Sequence, residues 1–166
     1  MPRILASLTA LAVGALLAAS LPLAQADSTT QVAYPDGYRN WRHVKSMIIE
    51  PGHALAGLVE GTHHIYANPK ALAGYAKRPF ADGSVIVFDL FETQRGDKAI
   101  AEGPRKAVIV MRKDSKRFRE TNGWGYEVFA GGDRTTPQVG AKAAAMCHSC
   151  HLSQQKNDYV FSQPRD

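Results

Sequence analysis

The chain has 166 residues, 45% of them apolar, and its 20 Lys and Arg against 15 Asp and Glu give a formal charge of +5. That is material for one compact domain behind a leader and too little for two. The mild positive balance comes without a basic run or a basic-aromatic stripe, which argues against nucleic acid and suits at most the docking of an acidic redox protein.

Arg3 is a short positive n-region, Ile4 to Leu23 an apolar stretch, and Ala24-Gln25-Ala26 a small-x-small cleavage signal. This is the order of a secretory leader. A retained membrane anchor is the alternative, and the Ala and Gly content, Pro22 and the cleavage signal favour removal. The expectation is export to the periplasm, a leader over 1–26 and a single domain over 27–166. No later segment is apolar enough to span a bilayer, so no membrane contact is expected after cleavage.

Along the mature chain, turn signals separate short β-branched runs. Pro35-Asp36-Gly37 is a turn, Tyr38 to His43 a short helix, and Val44 to Ile49 a strand closed by Pro51-Gly52. Thr62 to Ala67 is a second strand. Asn68-Pro69 then reads as an N-cap with proline in the first turn of a helix through about Ala76. After the Asp82-Gly83 turn come strands Ser84 to Phe91 and Arg105 to Arg112, with Asp114 capping one or two helical turns through Arg119. Asn122-Gly123 turns the chain into strand Trp124 to Phe129, and Thr136-Pro137 opens an alanine-rich helix from Gln138 to about Met146. The predicted class is α+β, mainly antiparallel β: about five strands, short flanking helices and a C-terminal segment with its own chemistry.

That segment is Cys147-His148-Ser149-Cys150-His151, and Cys-x-x-Cys-His is the attachment pattern of a c-type haem. Two thiols three positions apart suit the two vinyl groups of one porphyrin, and the adjacent imidazole suits its iron. Cys147 and Cys150 are therefore the expected thioether links and His151 the expected proximal ligand. A structural zinc site would need more ligands than the two cysteines of this chain supply. A disulfide in an exported protein is the stronger alternative, and it leaves the adjoining histidine unexplained.

Further motifs carry a resemblance. Tyr34-Pro35-x-Gly37-Tyr38-x-x-Trp41-x-His43-Val44-Lys45-Ser46-Met47, His63-His64-Ile65-Tyr66-Ala67-Asn68, Asp82-Gly83-Ser84-Val85-Ile86-Val87-Phe88-Asp89, Lys113-Asp114-Ser115-Lys116-Arg117-Phe118 and Gly123-Trp124-Gly125-Tyr126 resemble the cytochrome P-460 family, which includes the cytochromes c′-beta. The resemblance runs from about Tyr34 to Phe161 and ends on Asp158-Tyr159-Val160-Phe161. It implies an antiparallel β domain with one haem c per chain, commonly a homodimer packed sheet to sheet.

The resemblance also implies a choice between two pockets. Hydroxylamine-oxidising members carry a lysine bonded to the porphyrin and a glutamate as proton acceptor; ungapped matching puts Phe88 and Ile109 at those two positions. Without the lysine there is no cross-link, and without the carboxylate there is no general base, so the balance is against an enzyme. The c′-beta pattern instead places phenylalanine over a five-coordinate iron and admits small neutral gases, above all nitric oxide. Phe88 and Ile109 are thus the expected distal residues, with ordinary core packing as the alternative for both.

Other side chains compete for the distal position. Met111 shares a strand face with Ile109, and Met47 lies in the first strand; either thioether as sixth ligand would favour electron transfer over gas binding. His63 and His64 point to opposite faces of one strand, and His64 is taken as the pocket candidate. His148 is expected to be exposed in the attachment loop, and His43 and His53 to be solvated. Arg105, Lys106, Arg112 and Lys45 are candidates for pairing with haem propionates, while Trp41, Trp124 and Tyr126 are expected in the core or a dimer interface. Three functions follow: a gas-binding or electron-passing periplasmic cytochrome, a hydroxylamine or nitric oxide oxidoreductase, and a six-coordinate Met-ligated carrier. The partners are accordingly a small gaseous ligand or a redox protein.

Overall fold

The computed structural model describes residues 31–165, so the leader expected over 1–26 lies outside the described residues. Five strands form one antiparallel sheet in chain order: β1 (Arg42–Ile49), β2 (Gly61–Ala67), β3 (Val85–Gly96), β4 (Ala99–Lys113) and β5 (Trp124–Ala130). Three short α-helical pieces flank it, α1 (Ala56–Val59), α2 (Pro69–Ala76) and α3 (Ser149–His151). This is the α+β, mainly antiparallel class that the sequence predicts.

Local chemistry sets the joints. Asn68 caps α2 through Oδ1, which accepts from the Ala71 N–H at 2.9 Å and from the Val85 N–H at 3.1 Å, while its Nδ2 donates to the Gly83 carbonyl at 2.9 Å. One side chain thereby ties the helix start to the β3 start. Asn122 and Gly123 take left-handed φ of 54° and 84° before β5, the conformation an Asn-Gly hairpin turn uses.

The alternation of each strand produces two cores. The back face carries Val85, Val87, Val108, Val110 and Phe129, covered by Val32, Tyr38 and Phe118. The front face carries Ile65, Ala67, Ile86, Met111, Trp124 and Tyr126, covered by Tyr75 and Phe80 from one side and by Tyr159 and Val160 of the C-terminal segment from the other. Burying each such side chain is worth about 1.5–3 kcal/mol, so both faces hold the sheet.

Three expectations are corrected. β3 and β4 run past Phe91 and begin before Arg105 as a two-stranded ribbon paired from Thr93 with Glu102 to Gly96 with Ala99. Its residues are largely exposed and polar, so backbone pairing and a left-handed turn at Asp97 and Lys98 hold it, without the apolar alternation that marks a strand in sequence. Asp114 Oδ1 accepts from the N–H groups of Lys116 and Arg117 and closes a turn, and the only helical residues nearby are the 3-10 turn Arg119–Thr121. The single helix expected over 138–146 does not form, because Gly140 takes a left-handed φ of 50° inside that span, in a loop whose Gln138, Val139 and Gly140 N–H groups are held by Glu127 of β5. The chain becomes helical only at Gly140–Lys142, continues through a π-turn at Ala144–His148, and passes through α3 into a 3-10 stretch at Leu152–Asn157.

Candidate functional site

The C-terminal helical path lays Cys147 against the front-face core and leaves Cys150 exposed, both as free thiols. Burial, with Glu127 and Cys150 as lesser contributors, pushes the Cys147 thiol up to about 11. His151 follows one residue later. Its Nδ1–H donates to the Tyr159 carbonyl at 2.6 Å, which fixes the tautomer and leaves the Nε2 lone pair for a metal. The ring stands 5.0 Å from Tyr126 and 5.0 Å from Phe161. Burial lowers its pKa, so the imidazole is held in the neutral form that ligates iron.

The carbonyl that orients His151 is itself anchored. Asp158 and Tyr159 both adopt left-handed φ, 50° and 65°, a conformation that costs a non-glycine residue about 1–2 kcal/mol. Asp158 is held from three directions: Lys113 Nζ donates to Oδ1 at 2.8 Å, the Phe80 N–H to Oδ2 at 2.9 Å, and Trp124 Nε1–H to its carbonyl at 2.9 Å. Lys113 lies over the Trp124 ring and also donates to the Asn122 carbonyl at 3.2 Å. This cluster was not found in the sequence, although Lys113 and Asp158 both stand in quoted motifs; they are 45 residues apart, and nothing local pairs them.

His148 is not the exposed loop residue expected. It is 5% exposed, its Nε2–H donating to Asn122 Oδ1 at 2.9 Å and its Nδ1 accepting from the Tyr126 hydroxyl at 3.0 Å. The π-turn widens the helix here and rolls residue 148 inward, as such turns do at functional segments. Glu127, fully buried, accepts four backbone N–H bonds, from Val128, Gln138, Val139 and Gly140. A lone glutamate in a strand gives no sequence signal for this, since the donors lie on a loop that only the fold brings near.

Phe88 and Ile109 stand directly opposite each other on the β3–β4 pair, and Val128 faces Ile109 from β5. All three lie on the front face and are half-buried, while Val87, Val108 and Val110 behind them are sealed at 0% exposure. Met111 is on the same face, packed among Ile86, Tyr126 and Cys147. Met47 lies at the edge strand opposite His63, 42% exposed.

His64 is a correction. β2 turns it to the back face, where its Nδ1 meets Ser46 Oγ at 2.6 Å and its Nε2 meets Glu102 Oε1 at 2.6 Å. The neighbouring His63 takes the front face and stacks on Phe88. Arg105 is likewise spent on the back face, where its guanidinium grips the fully buried Asp89 at 2.7 and 3.2 Å beside the Tyr38 hydroxyl. Lys106 donates to the Glu60 carbonyl at 2.6 Å. Of the expected aromatics, Trp124 and Tyr126 are core, and Trp41 packs partly buried on the back-face cluster.

The residues present fit a flat apolar prosthetic group. Two thiols and a neutral imidazole follow one helical path against a sheet face whose central side chains stay half-open, and Met146, Leu152 and Phe161 on that path expose 56%, 53% and 49% of their surface. Among the described residues no three His, Cys, Asp or Glu side chains converge on a metal position. One imidazole, that of His151, would suffice to hold iron that a porphyrin already ligates. Fold and site together define a haem protein with a c-type attachment signature. The chain belongs to the Cytochrome P460 family, whose family model matches residues 35–162. A comparison with curated proteins gives no match. No helix among the described residues is long and apolar enough to cross a membrane.

Proposed function

We propose that the chain is an exported mono-haem cytochrome, with haem linked through Cys147 and Cys150 and ligated by His151, that takes small neutral gases, nitric oxide foremost, on an apolar distal face. The observation that carries this reading is the Phe88–Ile109 pair on the front face. These are the positions at which hydroxylamine-oxidising members of the resembling family place a lysine and a glutamate. Two apolar side chains there offer no nucleophile to the porphyrin and no base to an N–H bond.

Bound haem supplies one open iron position for a gas and a one-electron change of state. The chain supplies the rest. His151 is oriented through Nδ1 by the Tyr159 carbonyl, and that carbonyl is fixed through the Asp158 contacts. Phe88, Ile109 and Val128 make the front face apolar, which disfavours water and anions there and not a neutral diatomic molecule. Met111, 8% exposed within a packed cluster, and Met47, on the edge strand, serve better as core filling and surface than as a sixth ligand.

Visible spectra of the purified ferric and ferrous protein, before and after nitric oxide, test the reading. Five-coordinate ferrous iron that shifts with nitric oxide is expected. A six-coordinate ferrous spectrum unmoved by the gas overturns it in favour of the Met-ligated carrier, and hydroxylamine-dependent reduction of an added acceptor overturns it in favour of an enzyme. A mass equal to the chain from Asp27 plus one haem checks attachment and export, and light scattering checks the homodimer that the resemblance implies.

A further inference from the structure

His63 lies on the front face of β2, 2% exposed, with its ring stacked on Phe88 at 4.0 Å between centroids and 18° between planes. Its Nδ1 is buried and has no hydrogen-bond partner among the described residues. Leaving such a group unsatisfied carries its full desolvation cost, and buried polar atoms in folded proteins are overwhelmingly paired. The strand neighbour Thr62 shows the contrast, its Oγ1 bonding Thr93 Oγ1 at 2.8 Å on the back face. On the front face His63 has Met47 and Leu90 as its cross-strand partners and Phe88 beside it, and these apolar side chains provide no strong donor or acceptor. Burial, with His64 and Lys45 adding to it, lowers its pKa to about 4. A neutral imidazole has one N–H and one lone pair to offer.

Resting on the gas-binding function proposed above, we infer that His63 is the one polar element of the distal pocket and donates a hydrogen bond to the diatomic molecule held beside Phe88. The pocket is then apolar in its walls and polar at a single point. Such a point favours ligands whose outer atom gathers negative charge on binding, dioxygen above all, over carbon monoxide, which gathers little. His63 is accordingly a specificity-determining residue, placed one position from the histidine that the sequence favours.

The test uses haem-loaded protein in the ferrous state with carbon monoxide as probe, read by the C–O stretching frequency, together with the dioxygen dissociation rate. The wild-type frequency is expected to shift in D2O. His63→Phe is expected to raise it and to speed dioxygen release about tenfold, the scale of one hydrogen bond, and His63→Gln to restore part of both. The D2O measurement needs no variant, so a His63→Phe protein that fails to fold leaves the inference open to refutation. A frequency insensitive to D2O and unchanged in both variants, with carbon monoxide still bound, overturns the inference and leaves the gas-binding function standing. Six-coordinate ferrous wild type that becomes five-coordinate in His63→Phe also overturns it, by making His63 an iron ligand. Wild-type protein that binds nitric oxide but neither carbon monoxide nor dioxygen overturns the inference alone, and failure to bind nitric oxide as well removes the gas-binding function itself.

Discussion

Asp158 governs His151 without touching it. Its carboxylate holds Lys113, 7% exposed, in a buried ion pair, and its backbone shapes the left-handed step that presents the Tyr159 carbonyl to His151. Asp158→Ala strands the buried ammonium, so a loss of about 3–5 kcal/mol in denaturant unfolding is expected. The Lys113→Met, Asp158→Asn double variant should recover a measurable part of the loss in a double-mutant cycle. His63 supplies a pH prediction at the same scale. Its pKa falls from 6.5 unfolded to about 4 folded, so the unfolded chain binds the extra proton between those values and stability falls as the pH is lowered from 6.5 to 4. The full shift corresponds to about 3 kcal/mol, and urea midpoints should show it in the wild type and flatten in His63→Phe.

At the scale of elements, the loop before the C-terminal helical path depends on Glu127. Its carboxylate collects four backbone N–H groups across β5 and residues 138–140. Glu127→Ala leaves those donors without their acceptor, and faster amide exchange at residues 138–140 is expected, with a loss of about 2 kcal/mol or more in unfolding free energy. Glu127→Gln should cost less, since one amide oxygen still accepts. The strands of this sheet were legible where apolar, largely β-branched residues run together between turn signals, as in 85–90 and 107–111. They were illegible in the ribbon around Asp97 and Lys98, where backbone pairing and polar contacts such as Thr62–Thr93 and His64–Glu102 hold the strands. The helix expected over 138–146 failed because alanine-rich propensity of a few tenths of a kcal/mol per residue cannot carry a helix through Gly140, which the fold holds at a left-handed φ of 50°.

For the molecule as a whole, the asymmetry of the sheet matters most. The back face is sealed by valines at 0% exposure, while Phe88, Ile109 and Val128 on the front remain half-open. A group seated there removes apolar surface from water and binds only the folded state, which stabilises it. A Cys147→Ser, Cys150→Ser protein made without attached haem should therefore melt below the loaded wild type and should bind an apolar fluorescent dye that the loaded protein excludes.

Sequence alone carries the expectation of a c-type attachment, because Cys147, Cys150 and His151 fall within five residues and their spacing is itself the signal. It also determined most of the sheet, because strand signals are local, whereas the shared face of Phe88 and Ile109 follows from the β3–β4 register. Tertiary structure decided what depends on register and on contacts between distant segments. Strand pairing sent His64 to Ser46 and Glu102 and left His63 on Phe88. Folding brought Lys113 to Asp158 and Glu127 to residues 138–140. A strand's period reveals that two neighbours face opposite ways; only the packing of the sheet reveals which way each one faces.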